Sequence, residues 1–191
     1  QLTSGADLSA DAVGTLLLVE ANVGGNADIN GQDDVVLGQT TVGQSLAVNA
    51  GGALQLEAGN VGGDATLTST GSTTIGALEA DGTLDAKSGA ALAATALSSG
   101  AAMTLSSGST LDVQQLTSGG DLSTDAVGTL SLAQANVGGN ADINGQGDVV
   151  LGQTTVGQSL AVNAGGALQL GAGTVEGDAT RTRPGSTTVV T

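Results

Sequence analysis

Residues 42–61 read VGQSLAVNAGGALQLEAGNV, and this stretch decides the fold. Apolar residues alternate with polar or small ones in two runs, at Leu46 and Val48 and again at Leu54 and Leu56. A strict period of two is typical of a β-strand and does not fit a helix. Asparagine and glycine between the two runs mark a bend. The stretch therefore predicts a strand, a bend and a second strand.

The same layout returns every 19 residues, without an insertion or a deletion. A longer repeat lies over it, since residues 1–77 realign on residues 115–191 with 62 of 77 positions identical. Fixed periods of this kind are typical of solenoids. We number the positions of each 19-residue coil from 1, and the ten coils start at Ser4, Val23, Val42, Val61, Ala80, Ser99, Ser118, Val137, Val156 and Val175.

Two or three short strands per 19-residue turn predict an all-β fold, a parallel β-helix in which residues 1–191 form one shaft segment. Successive coils are spaced by about 4.8 Å, so ten coils give a rod roughly 48 Å long. Glycine at position 2 is expected to form a turn with unusual φ. A third stretch, small and polar, is expected to close each coil, and no helix is expected.

The interior has to be built without aromatic side chains, because the chain has no Phe, Trp or Tyr, and it also lacks His and Cys. Positions 5 and 7 of each coil, and the second alternating run, are predicted to point inward. Where position 5 is Ala, as at Ala27, position 7 is mostly Ile or Leu, as at Ile29. This compensation keeps the cross-section of the coil nearly constant. Leu56 is expected to be buried between Leu37 and Ile75.

Charge is one-sided, with 18 acidic residues against Lys87, Arg181 and Arg183, a net charge of −15. That balance excludes a nucleic-acid partner, because such binding rests on Lys and Arg contacts to phosphate. It also disfavours anionic membrane surfaces and sulfated glycans. No apolar run approaches the roughly 18 residues of a membrane span, so no membrane insertion is expected. Acidic residues never share a position in adjacent coils, where like charges would repel.

Stacking in register places Asn30 beside Asn49, and Asn144 beside Asn163. Such pairs could form ladders of side-chain amides, as in other stacked-strand assemblies. They are equally well explained as asparagines that favour turns. Both interpretations stay open at the level of sequence.

The acidic residues do not form a recognisable reaction centre. Glycoside hydrolysis needs a paired acid and base at fixed separation. Here acidic motifs either recur 114 residues later or are lost there, as Asp33 becomes Gly147 and Glu57 becomes Gly171. We therefore predict no enzyme, no catalytic, cofactor-binding or metal residues, and no cofactor. Asp28, Asp33 and Asp34 could supply calcium ligands near turns, but we interpret them as solvated turn acids. A flat threonine face, as in ice-binding solenoids, is not found at the mixed final coil position.

Two motifs carry a resemblance that covers essentially the whole chain. Residues 23–31, VGGNADING, and residues 42–56, VGQSLAVNAGGALQL, resemble the haemagglutinin repeats of filamentous haemagglutinin, the Bordetella-type adhesin exported by two-partner secretion. The resemblance implies a right-handed β-helix, export through an outer-membrane secretion partner, and a surface fibre used in cell adhesion and virulence. The secretion domain of that family is not among these residues, and there is no Arg-Gly-Asp tripeptide. No receptor-binding residues are therefore assigned.

The resulting hypothesis is a structural shaft and adhesive scaffold of a large secreted protein at the surface of a Gram-negative bacterium. Its expected partners are the adjoining coils of the same fibre, the secretion partner and an unidentified host-cell receptor. The alternative is a module that itself binds a host glycan or protein through repeated surface positions, with weak multivalent contacts.

The carboxy-terminal coil departs from the pattern. Arg181 occupies position 7, where Leu67 stands in the first copy. A charge inside an apolar column is unfavourable, so we expect the Arg181 guanidinium to reach out over an open end of the stack. Residues after Pro184 are expected to be the least ordered part of the chain.

Overall fold

The computed structural model describes residues 1–182 and 187–189, and these residues form strands and turns with no helix. No segment of that described chain is a helix long and apolar enough to cross a membrane. The strands fall into two parallel sheets that run along the whole length of the stack.

Each coil contributes one strand to each sheet, except that the long strand of the ninth coil is broken into two, and a short strand of the second sheet precedes the first coil. The first sheet, here the short-strand sheet, consists of β2 (Leu8–Ala12), β4 (Ala27–Gly31), β6 (Leu46–Ala50), β8 (Ala65–Ser69), β10 (Leu84–Ser88), β12 (Met103–Ser107), β14 (Leu122–Ala126), β16 (Ala141–Gly145), β18 (Leu160–Ala164) and β21 (Ala179–Thr182). The second, the long-strand sheet, consists of β1 (Leu2–Ser4), β3 (Leu16–Val23), β5 (Val35–Val42), β7 (Leu54–Val61), β9 (Thr73–Ala80), β11 (Leu92–Ser99), β13 (Leu111–Ser118), β15 (Leu130–Val137), β17 (Val149–Val156), β19 (Leu168–Leu170), β20 (Gly173–Val175) and β22 (Thr187–Val189).

Strand pairing follows the 19-residue period throughout. Leu46 of β6 pairs with Ala27 on one side and with Ala65 on the other, each 19 residues away. All strand pairs are parallel. The structure thus confirms the all-β fold, a β-solenoid of about ten turns.

The predicted interior is confirmed. Leu56 is 1% exposed and pairs with Leu37 in the preceding coil and with Ile75 in the following one. Ala27 and Ile29 are both buried, as the compensation between positions 5 and 7 requires. Aliphatic side chains, Met103 and a smaller number of buried serine and threonine residues fill the interior, and layers at constant spacing let small and large side chains interlock.

The expectation of a small and polar closing stretch is wrong. That stretch is the second half of each long strand, and it supplies core residues such as Leu78, Leu97 and Leu116, which are all buried. The pairing of β3 with β5 skips Val19 and Gly38, at position 16. The strand turns a corner at this position. Before the corner the side chains at positions 13 and 15 point inward, and after it those at positions 18 and 1 do. The inward positions on either side of the corner are therefore three residues apart and not two. A strict period of two could not reveal a strand that turns a corner.

The turn glycines serve a purpose different from the expected one. No glycine in the described ranges has a positive φ, so unusual backbone conformation is not the reason for them. Close stacking is the reason. A Cβ added to Gly62 would lie 2.5 Å from the carbonyl oxygen of Gly43, and 3.2 Å from its carbonyl carbon. Glycine at position 2 therefore eases close stacking, although Asp81 occupies the same position and keeps the backbone bond from its N–H to Val61 O at 2.9 Å.

The two ends of the stack are less buried than its middle. Leu8 and Leu16 of the first coil are half-buried. Arg181 pairs in register with Val162 and is exposed, as expected for this residue at an open end. The expectation of disorder concerns the residues after Pro184. Part of it cannot be compared with the structure, because Pro184, residues 185–186 and residues 190–191 lie outside the described residues. Thr187–Val189 form β22, which pairs with β19.

Replacing Leu56 by Asp tests the inward register. The buried carboxylate would have no partner, and we expect the free energy of unfolding to fall by about 3–5 kcal/mol. Gln55, the neighbouring outward and exposed residue of β7, is the matched control. Gln55→Asp should change stability by less than about 0.5 kcal/mol. Urea unfolding followed by circular dichroism measures both. Equal stability of the two variants would show that the register is wrong.

Amide exchange tests the last coil. Strand β22 has one neighbouring strand, whereas β7 lies between two. Local opening is easiest where few contacts hold a strand, so the amides of Thr187–Val189 should exchange faster than those of residues 54–56. Equal protection at the two places would mean that the last coil is as stable as an interior one.

Candidate functional site

Aspartates at position 4 join three of the coils to the next one. The Oδ1 atom of Asp7 accepts a hydrogen bond from the backbone N–H of Asn26 at 2.8 Å. Asp121 accepts in the same way from the N–H of Asn140 at 2.7 Å. Each donor lies 19 residues after its acceptor. These carboxylates therefore satisfy the amide at the start of the next short strand, which is a structural role.

The second turn of the coil repeats the arrangement at position 12. Asp34 accepts from the N–H of Ala53 at 2.7 Å, and Asp148 accepts from the N–H of Ala167 at 2.8 Å. Asp34 is an exposed turn acid, as interpreted, and its carboxylate is in addition part of the stack. Within the described ranges, no group of three or more His, Cys, Asp or Glu side chains could hold a metal ion.

Asp64 is the carboxylate on which hydrogen bonding acts most clearly. Its Oδ1 atom accepts from the backbone N–H of Thr83 at 2.8 Å and from the Thr83 hydroxyl at 2.9 Å. These two bonds lower the pKa of Asp64 from its ordinary value of 3.8, the backbone bond being the larger cause. Hydrogen bonds to the ionised form favour that form. The site is exposed, so solvent screening limits its contribution to stability.

The structure shows the amide ladder in the first copy only, and in both copies these asparagines lie in strands and not in turns. In the first copy, Asn49 Nδ2 donates to Asn30 Oδ1 at 2.9 Å, and Asn30 Nδ2 donates to Asp11 Oδ1 at 3.0 Å. This is an amide ladder over three coils. In the second copy, Asn144 Nδ2 donates to Asp142 Oδ1 at 3.0 Å, within its own coil.

Buried serines support the second turn from inside, and the sequence analysis did not single them out. The Ser88 hydroxyl lies 2.9 Å from the carbonyl oxygens of both Gly71 and Ala91. The Ser107 hydroxyl lies 2.8 Å from the carbonyl oxygen of Ala90. These carbonyls also accept backbone N–H groups, as Gly71 O does from Ala90 N at 3.1 Å, so it is the buried serine hydroxyls that gain a partner from the turn. Serine at the inward position 9 beside a turn was the signal that could have revealed them.

The outer face of the first coils forms a shallow groove over the short-strand sheet, lined in part by Asp7, Asp28, Ala47, Asp64 and Thr66. Asp7 and Asp64 are already hydrogen-bonded to backbone amides. The groove is open to solvent along its length. Its arrangement offers a broad, weakly acidic surface and no enclosed reaction chamber.

A deeper cavity, of about 360 Å³, lies at the carboxy-terminal end and is lined by apolar side chains that include Leu151, Leu160, Leu170 and Val175, together with Arg181. It is the interior of the solenoid at its last described coils. The described residues that line it include no carboxylate.

Comparison with known proteins adds no relative. No family model, no curated protein and no solved structure matches the chain. The resemblance to haemagglutinin repeats therefore rests on the period and motifs of the sequence, and function has to be argued from the solenoid itself.

The role of Asp64 predicts a pH dependence. Because its folded pKa is lowered, the bonds of the ionised carboxylate stabilise the fold above the ordinary pKa and are lost as pH falls through the folded value. An asparagine can accept the same N–H without titrating, as Asn26 Oδ1 does from Ser45 N at 3.2 Å. We expect Asp64→Asn to be less stable than the unchanged chain at neutral pH, with the difference shrinking in acid.

Thermal unfolding between neutral and acidic pH measures this difference. Asp85→Asn is the matched control, since Asp85 is an exposed, outward residue in the middle of β10 and not in a turn. That variant should keep the pH profile of the unchanged chain. A constant gap between Asp64→Asn and the unchanged chain at every pH would contradict the assigned role.

Proposed function

We propose that the chain is a rigid shaft segment and adhesive scaffold of a large secreted adhesin at the surface of a Gram-negative bacterium. The uninterrupted stacking is the observation that carries this proposal. Three residues join β4 to β5, and three join β5 to β6, so the turns are short. Binding and catalytic residues lie disproportionately on loops held out from a scaffold, and a coil with such turns has little room for them.

Stiffness is what this architecture offers. Parallel strands pair along the axis in both sheets from the first coils to the last. Bending the rod requires the turns on one side to separate, and this breaks hydrogen bonds such as that from Leu46 N to Asp64 O at 2.9 Å. A flexible linker of equal length would coil and would not hold its ends apart. A spacer that must keep its ends at a fixed distance needs this property.

Secretion and the partners are proposed on the resemblance to haemagglutinin repeats together with the composition. An acidic chain without cysteine is compatible with an extracellular location. Its net charge of −15 makes separate shafts repel each other, which opposes side-by-side association. The adjoining coils of the same fibre and an outer-membrane secretion partner are the partners that this function requires.

Binding experiments test the spacer role. The isolated chain, immobilised and exposed to arrays of host glycans and to host-cell surface proteins, should show no saturable binding. The unchanged chain, immobilised and then unfolded in urea, controls for non-specific adsorption. Saturable binding that needs the folded chain would favour the alternative, a ligand-binding module that uses the repeated outer positions, and would overturn the spacer proposal.

Removing coils tests the architecture independently of binding. Deletion of residues 80–98, one whole coil, should leave a folded rod shorter by about 4.8 Å. Deletion of residues 80–89, about half a coil, should disrupt the strand register. Small-angle scattering gives the length and circular dichroism gives the strand content. Equal tolerance of both deletions would contradict a continuous stack.

A further inference from the structure

One outer face of the solenoid has no charged residue, although the chain has a net charge of −15. This face lies on the second half of the long strands, at the outward positions 17 and 19. In the sixth to eighth coils its residues are exposed, and we call them the neutral face: Gln115, Thr117, Gln134, Asn136, Gln153 and Thr155. They line a groove of about 380 Å³. Positions 17 and 19 are also uncharged in the fifth and ninth coils.

The two long copies differ in charge on this side of the solenoid. Three acidic residues of the first copy have neutral counterparts in the second: Glu20 corresponds to Gln134, Asp33 to Gly147 and Glu57 to Gly171. All three lie in the second turn or on the long-strand sheet. Four of the five acidic residues that both copies share lie instead in the first turn or on the short-strand sheet: Asp7, Asp11, Asp28 and Asp64. Negative charge is therefore concentrated away from the neutral face.

The neutral face is also regular along the axis. Gln115 pairs in register with Gln134, and Gln134 pairs with Gln153. Successive coils are spaced by about 4.8 Å, so amides and hydroxyls recur at that spacing. An amide both donates and accepts hydrogen bonds, which makes such a face complementary to a copy of itself. In other stacked-strand assemblies, sheets pair through faces that interdigitate identical side chains.

We propose that the neutral face is a docking surface for the same face of a second copy of this chain, with the two shafts side by side and antiparallel. Charge identifies the occupant. Most acidic residues lie in the first turn or on the short-strand sheet, so contact through those sides brings carboxylates together, whereas contact through the neutral face does not. A second shaft also has the same spacing between coils, so every coil of one meets a coil of the other. This pairing does not depend on secretion or on adhesion.

The antiparallel orientation follows from Glu79, an exposed residue at position 19 of the fourth coil, just beyond the uncharged stretch. In a parallel pair in register, the Glu79 side chains of both copies would lie in the same layer and repel. In an antiparallel pair centred on the seventh coil, which contains Gln134 and Asn136, they lie six coil spacings apart, about 29 Å.

The size of the face determines the strength of the pairing. Five coils and three residues of each strand give a face of about 24 by 10 Å. A stable protein interface buries about 800 Å² on each partner, several times this area. A single pair is therefore weak, and we expect it at high protein concentration.

Cross-linking tests the arrangement, and it is simple here because the chain has no cysteine. In the antiparallel pair Asn136 faces Asn136, and Thr117 faces Thr155. A short bismaleimide should therefore join Asn136→Cys into dimers. A mixture of Thr117→Cys and Thr155→Cys should give several-fold more dimer than either variant alone. Thr104→Cys, exposed on the short-strand sheet, is the control and should stay monomeric.

Added charge gives an independent test. Gln134→Glu introduces the residue that the first copy has at Glu20, and it brings two carboxylates face to face at the centre of the pair. Asn163→Asp adds the same charge on the short-strand sheet and is the matched control. In sedimentation equilibrium, Gln134→Glu should associate several-fold more weakly than the unchanged chain, and Asn163→Asp should associate equally. Circular dichroism shows that each variant is folded.

Added salt should strengthen the association of the unchanged chain, because it screens the repulsion between the acidic sides of the two shafts. Three results would overturn the proposal. They are equal dimer yields from Asn136→Cys and Thr104→Cys, no gain from mixing Thr117→Cys with Thr155→Cys, and association of Gln134→Glu as strong as that of the unchanged chain.

Discussion

Each residue in the middle of this chain has the same two neighbours along the stack, the residues 19 positions before and after it. Leu56 pairs with Leu37 and with Ile75, and Asn30 pairs with Asp11 and with Asn49. This stacking constrains everything else. A residue added within a strand would reverse the inward and outward faces of the rest of that strand. A coil with a larger cross-section would part the strands above and below it.

Those two constraints explain why so much of the fold could be predicted from the sequence. A period that never slips over ten coils leaves one alignment of strands, and strict alternation at Leu46 and Val48 leaves one inward face. The burial of Leu56, its two neighbours and the absence of helix in the described chain all follow from periodicity alone. A period is read from many residues together, so an exception at one residue does not change the predicted fold.

Features that depend on single atoms could not be predicted in that way. The turn carboxylates look like solvated acids in the sequence, because nothing in Asp34 itself shows that the N–H of Ala53 lies 2.7 Å away in the next coil. The corner at Gly38 breaks the period of two and hides the inward role of Thr40 and Val42, which are both buried. Turn glycines such as Gly62 are favoured because the neighbouring turn lies close, and not because of their own φ angle. In each case the missing information is the distance between coils.

The stacking that joins the coils also limits where charge can be placed. The turns have to provide hydrogen bonds between coils and keep like charges apart. A side-chain acceptor at position 4 joins several coils to the next one, yet acidic side chains in successive coils would repel. The chain alternates its acceptors: Asp7 accepts from the N–H of Asn26, and Asn26 Oδ1 accepts from the N–H of Ser45. The second copy repeats the sequence with Asp121, Asn140 and Ser159.

An asparagine carbonyl accepts the amide hydrogen of the next coil without carrying a charge, so it separates one carboxylate from the next along the stack. The distances record the difference, since the two carboxylates accept at 2.7–2.8 Å and the two asparagines at 3.2 Å. Charge-assisted hydrogen bonds are shorter and stronger than neutral ones. A chain with 18 acidic residues can therefore use its carboxylates as stacking groups, provided that neutral side chains take the positions between them. Net charge and cohesion along the axis then come from the same residues.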